Sequence, residues 1–171
     1  LDKLPDRTVM LVAAAAMTVA LAVLALAWHR HASPNNWGVI LVGWSVLGIA
    51  YSASITPGGR LLRRSSGEDD RPALFAAQFA LSHVCWLVAY PLAGQVGAAN
   101  GMGAALAASA VLALVGTVIA FRIWPANDPE ILAHAHDDLA PDHPHLAEGH
   151  PEGIANHAFV IDELHPHWPL R

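Results

Sequence analysis

"VMLVAAAAMTVALAVLALAW" (Val9–Trp28) decides the fold. It contains no acidic or basic residue and is apolar all round apart from Thr18. A helix of about 20 residues is about 30 Å long, which matches the hydrocarbon core of a bilayer. Three later segments repeat the pattern: Trp37–Ile55, Ala73–Val96 and Met102–Phe121, all free of Asp, Glu, Lys and Arg. Lipid offers the backbone no hydrogen-bond partner, so each segment must satisfy its own peptide groups as a helix. The sequence therefore predicts an all-α membrane protein with four transmembrane helices. The first segment is not read as a cleaved signal peptide, because it lacks a polar cleavage region and three more spans follow it.

Composition agrees. Hydrophobic residues make up 54% and charged residues 13%, far from the balance of a soluble domain. The charges are unevenly placed. Residues 1–124 carry net +3 and residues 125–171 net −8, which together give the overall −5. Trp124-Pro125 is therefore the main boundary, between a transmembrane region (1–124) and a tail (125–171). The expected partner is the lipid bilayer. No nucleic-acid partner, enzymatic activity or required cofactor is expected.

Loop charge sets the topology. Lys3 and Arg7 precede the first span, Arg60, Arg63, Arg64 and Arg71 lie in the loop after the second, and Arg122 follows the fourth. Arg30 is the lone base in the 29–36 turn, and the turn near Ala98–Gly101 has none. The positive-inside rule then places both termini and the 56–72 loop in the cytoplasm, with the spans in an inner (plasma) membrane. Arg60, Arg63 and Arg64 share one helical face. Their plain reading is a solvated loop that orients the chain; contact with anionic headgroups, or pairing with Glu68, Asp69 and Asp70, are the alternatives.

The middle spans differ from the outer two. At 100° per residue, Trp44, Ser45, Gly48, Tyr51 and Ser52 fall within an arc of roughly 120° on the second span. Gln78, Ser82, His83, Trp86, Tyr90 and Gly94 fall within roughly 160° on the third by the same geometry. Such faces are costly against lipid and are expected to meet protein or a water-filled cavity. The candidate cavity residues are Trp44, Tyr51, Ser52, Gln78 and His83. His83 is either a coupling or substrate-contacting group or a neutral histidine bonded within the bundle. Trp44 and Tyr51 either stack on a substrate or pack between helices. Trp28, Trp37 and Trp124 read as interface anchors, and Cys85 as a buried small hydrophobe.

The segment "LDKLPDR" (1–7) resembles the end of the cytoplasmic-loop signature G-x-x-x-D-R-x-G-R-R of major facilitator superfamily transporters. Asp2 and Lys3 stand at its Asp-Arg pair and Arg7 at its last basic position, while Pro5 and Asp6 replace its Gly and first Arg. "YPLAGQVG" (90–97) resembles the glycine- and proline-rich motif of antiporter members. The resemblance covers residues 1–124 and implies that the four spans correspond to helices 9–12 of a twelve-helix bundle. It also implies transport by alternating access and, as partners, N-terminal helices of the same transporter. On this reading the chain is the C-terminal third of a longer protein.

The tail is another matter. Eight of the eleven histidines lie in "HAHDDLAPDHPHLAEGHPEGIANHAFVIDELHPHWPLR" (134–171), among carboxylates and recurrent prolines. Proline removes a backbone donor and blocks helix, so an extended, largely disordered state is expected. The run 157–164 is the exception, able to form a short strand or to dock on the membrane region. Three H-x-H pairs stand out: His134/His136, His143/His145 and His165/His167. In an extended chain positions i and i+2 point the same way, so each pair can offer two imidazoles to one ion, Zn²⁺, Ni²⁺, Co²⁺ or Cu²⁺. A solvated, pH-sensitive tail is the bland alternative.

Together these features favour part of a secondary transporter that exports divalent transition metal or is regulated by it. An organic-solute or drug exporter with a bystander tail is one alternative, and a stand-alone four-helix metal-binding or sensory protein is another. The topology has a direct check: a cysteine placed at Gly67 reacts with membrane-impermeant reagents only after permeabilisation, and those at Asn35 and Asn100 react in intact cells. Labelling of Gly67→Cys from outside would overturn the orientation.

Overall fold

The computed structural model describes residues 4–30, 37–126, 131–135, 154–165 and 168. Its helices are α1 (Asp6–Arg30), α2 (Trp37–Ile55), α3 (Gly58–Arg64), α4 (Arg71–Asn100) and α5 (Met102–Ile123); its strands are β1 (Ile131–Ala135) and β2 (Ile154–Ala158). Four helices are long and apolar enough to cross a membrane, namely α1, the stretch Trp37–Arg64 that continues α2 into α3, α4 and α5. The third span, at 30 residues, overruns the expected 73–96 at both ends and is about 45 Å long.

In chain order the two plain spans stand outside. In space they form the middle. α1 packs most extensively on α5, with α2 against the other flank of α1 and α4 against α5. Small side chains allow this. Ala13 on α1 and Ala105, Leu106 and Ala110 on α5 are among the few buried apolar residues. Lipid is as apolar as leucine, so close backbone approach and van der Waals contact drive such association rather than the hydrophobic effect. At mid-span the Thr18 and Thr117 hydroxyls meet at 3.3 Å, and each lies within 2.9 Å of a carbonyl one turn back, that of Ala14 or Ala113. Each hydroxyl thereby has a carbonyl of its own helix to accept its hydrogen.

Two glycines fix the remaining joints. Gly101 turns α4 into α5 at φ 84°, a region that favours glycine, and its N–H closes on Gly97 O at 2.9 Å. Gly43 seats α2 against α1: a Cβ added there would lie inside the van der Waals envelope of the Leu24 side chain.

Directional bonds tie one end of the bundle. Buried Asp6, in the first turn of α1, takes both Nε and Nη2 of Arg60 on α3, as a bidentate pair. A carboxylate there also complements the positive end of the helix dipole. Arg7 Nε donates to Trp124 O at 3.3 Å, and its guanidinium lies 5.4 Å from the Phe121 ring centre. The start of α1, the loop after α2 and the end of α5 therefore share one side of the bundle.

These contacts correct two expectations. The basic loop is not simply a solvated segment: residues 58–64 are helical, and Arg60 pairs with Asp6, while Glu68 pairs with Arg71 at 3.5 Å. Cys85 is exposed rather than buried, because no residue of α4 is buried against the rest of the chain. Gly43→Leu is expected to lower thermal stability in detergent by about 1–3 kcal/mol through overpacking on Leu24. Gly48→Leu, where an added Cβ meets nothing within 4 Å, leaves it nearly unchanged.

Candidate functional site

Most of the polar arc of α2 turns away from α1. Gly43 and Ala50 are buried, whereas Trp44 (61%) and Tyr51 (52%) remain largely exposed, as does Ser52. Ser45 and Thr56 return their hydroxyls to Leu41 O and Ser52 O, at 2.8 and 2.7 Å. Trp44 has a second role. With Leu24, Trp28, Met102 and Leu106 it lines an apolar cavity of about 130 Å³ between α1, α2 and α5. Both readings of this residue therefore survive.

On α4 the ring side chains form a continuous ladder. Phe79 and His83 are 4.0 Å apart between ring centres, His83 and Trp86 4.6 Å, and Trp86 and Tyr90 5.9 Å. The spacing of three or four residues puts them on one helix face, and all but half-buried His83 are exposed. His83 Nδ1 lies 2.8 Å from Phe79 O, which can only accept, so Nδ1 carries the proton and Nε2 the lone pair. Gln78 is exposed on the same helix. Pro91 leaves Leu87 O without its usual helical donor, one turn from this ladder. Sequence reasoning singled out His83 but missed Phe79, whose spacing of i−4 from His83 was the available signal.

The candidate residues do not converge on one point within this chain. Among the described residues, no hydrogen bond or ring contact joins the α2 set to the α4 set. They lie on opposite flanks of the α1–α5 pair. The large groove between α1 and α2, lined by Val12, Val19, Val23, Val39, Val42 and Val46, is apolar and suits lipid or another helix rather than a polar solute.

A second cluster lies in the tail. β1 and β2 pair antiparallel, with Ile131 opposite Ala158 and His134 opposite Ala155. Within the stretch 157–164 the strand ends at Ala158, and a turn follows. There the Asp162 carboxylate accepts the backbone N–H of Leu164 at 3.0 Å and of His165 at 2.9 Å, and meets His165 Nδ1 at 2.7 Å. Burial pushes the Asp162 carboxyl upward, but the His165 hydrogen bond and charge and the two backbone donors outweigh it and hold the group below the ordinary aspartate range. Buried Phe159 touches the rings of His134, His165 and Trp168, with centres 4.8–5.0 Å apart. Ile161 N–H donates to Arg64 O at 3.1 Å, and the Arg64 guanidinium sits 5.6 Å from the Trp168 ring centre, so the tail docks on α3.

Of the six histidines proposed for metal, His134 and His165 come together, Nε2 to Nε2 at 3.0 Å. His136, His143, His145 and His167 lie outside the described residues. Among the described residues no group of three or more His, Cys, Asp or Glu is placed to hold a metal ion.

The family model for the Major Facilitator Superfamily matches residues 1–156. The chain belongs to that superfamily. Its members are transporters, and four apolar helices make this one a multi-pass membrane protein. The superfamily match runs past Trp124 and into β2, further than the 1–124 of the motif resemblance. No curated protein and no solved structure matches the chain.

The Asp162 turn is open to test. Asp162→Ala removes the acceptor of two backbone N–H groups and of the His165 ring, so hydrogen exchange at amides 164 and 165 is expected to accelerate several-fold. The sign with pH follows from the lowered carboxyl. Its contribution is complete above the ordinary carboxylate range and disappears as pH falls through the lowered value.

Proposed function

We propose that α2 and α4 present their polar and aromatic faces to the solute path of a secondary transporter that works by alternating access. One observation carries the reading: packing within the chain leaves Trp44, Tyr51, Ser52 and Gln78 exposed and buries no residue of α4, so these polar and aromatic groups lack cover from the chain's own helices. In lipid, the Gln78 amide, the His83 Nε2 and the Tyr51 and Tyr90 hydroxyls would be costly there. Further helices of the transporter and a hydrated cavity are their natural surroundings. The basic loop and both ends of the transmembrane region lie on the cytoplasmic side of the inner membrane in this proposal, following the positive-inside rule.

The cargo we favour is a divalent transition metal, exported from the cytoplasm, with the tail as the point of capture or of regulation. The His134–His165 pair and the docking of the tail on α3 support it. The aromatic ladder on α4 favours a second reading, export of a flat or cationic organic solute, because rings of that kind bind such surfaces. Whole-cell accumulation separates them: producing the protein lowers cellular Zn²⁺, Ni²⁺ or Co²⁺ in the first case and a fluorescent organic cation in the second. Unchanged accumulation of all of these would remove the transport reading.

His83→Ala is expected to reduce export of the true cargo about tenfold, the equivalent of one lost hydrogen bond of about 1–1.5 kcal/mol. Cys85→Ala, two positions away on the same helix, retains export at matched expression. Equal, undiminished export by both variants would take His83 out of the mechanism.

A further inference from the structure

We propose that His134 and His165 are paired ligands of a divalent transition-metal site that clamps β1 to the turn after β2. The argument begins with protons. His134 Nδ1 lies 3.0 Å from Leu132 O, and His165 Nδ1 lies 2.7 Å from Asp162 Oδ1. A carbonyl and a carboxylate only accept, so both Nδ1 atoms must carry hydrogen. In the neutral form that ligates a metal, each ring has its lone pair on Nε2. Those two atoms face one another at 3.0 Å. At that distance a single cation, a proton or a metal ion, can join the two lone pairs.

The surroundings match a metal ligand pair. Asp162 behind His165 forms the carboxylate–histidine arrangement that fixes the tautomer and orientation of a ligating imidazole. Leu132 O does the same for His134. Phe159, 3% exposed, holds both rings edge-on, with centres 5.0 and 4.9 Å away, so neither imidazole is free to turn from the other. Two nitrogens at right angles on one ion, each at about 2.1 Å, stand about 3.0 Å apart, the spacing seen here. A right-angled pair of this kind suits the tetragonal preference of Cu²⁺ or Ni²⁺. The site differs from the H-x-H chelates suggested by the sequence, since its ligands come from two such pairs 31 residues apart. It stands independently of the transport reading, because it asks nothing of α2 or α4.

The test uses the whole chain in detergent and Cu²⁺ as the probe, at half an equivalent so that the tightest site fills first. Electron paramagnetic resonance is expected to show two imidazole nitrogens on the ion, and hydrogen exchange to slow about tenfold or more at 131–135 and 154–158. His134→Gln and His165→Gln each weaken the first equivalent by tenfold or more and remove the added protection. Asp162→Asn weakens it by roughly tenfold, as loss of a supporting hydrogen bond does. His29→Ala, on α1, leaves both readouts unchanged. The proposal is overturned if the two glutamine variants keep the first equivalent. It is equally overturned if Cu²⁺ binds without slowing exchange in the strands, or does not bind saturably, which would leave a shared proton between the rings. Should a glutamine variant unfold the strands before metal is added, the nitrogen count and protection in the unsubstituted chain decide alone.

Discussion

The helical region depends on the close contact between α1 and α5. In a bilayer, two apolar surfaces gain nothing from leaving lipid unless they fit better to each other than to acyl chains. Alanines at 13, 105 and 110 supply that fit, and the Thr18–Thr117 contact sets the depth at which the helices meet. With this pair in the middle, α2 and α4 can attach only at the flanks. Their uncovered faces then point outward on both sides. The position of every candidate transport residue follows from a packing choice made by side chains that have no chemistry of their own.

The four long apolar helices were legible because a membrane imposes a crude and strong rule, about twenty residues without charge, and helix α2 coincides with the segment Trp37–Ile55. The pairing of α1 with α5 was not legible. A helix apolar on every side has no periodic face to mark its partner, and alanine serves equally at a contact or against lipid. On α2 and α4 the polar residues were marked by their cost in lipid, so sequence identified them; which neighbour they lacked needed coordinates.

Charged and polar contacts were read less well. Asp6 was noted as a departure from a motif, yet it holds Arg60, 54 positions away, and no local pattern announces a partner at that distance. The tail shows the same limit. Histidine spacing suggested neighbours in sequence, whereas the antiparallel register of β1 and β2 and the Asp162 turn bring His134 to His165. Phe159 and Ile161 lay inside the apolar run that stood out, but their seats, against the histidine rings and on Arg64 O, depend on the fold around α3.

The two ends of the bundle are held by different forces. At the tail-bearing end, Asp6 grips Arg60 and Arg7 reaches Trp124 O, contacts with demanding distances and angles. At the other end α4 and α5 are joined by the Gly101 turn, and α1 meets its neighbours through smooth contacts, Trp28 against Gly103 and Leu24 against Gly43. Apolar surfaces slide past one another by an ångström at little cost, while a bidentate ion pair must break before its helices part. The bundle is therefore built like a hinged fan, stiff at the clasp and compliant at the rim. Opening the clasp breaks a bidentate ion pair, while parting α1 from α2 at the rim gives up only apolar contact.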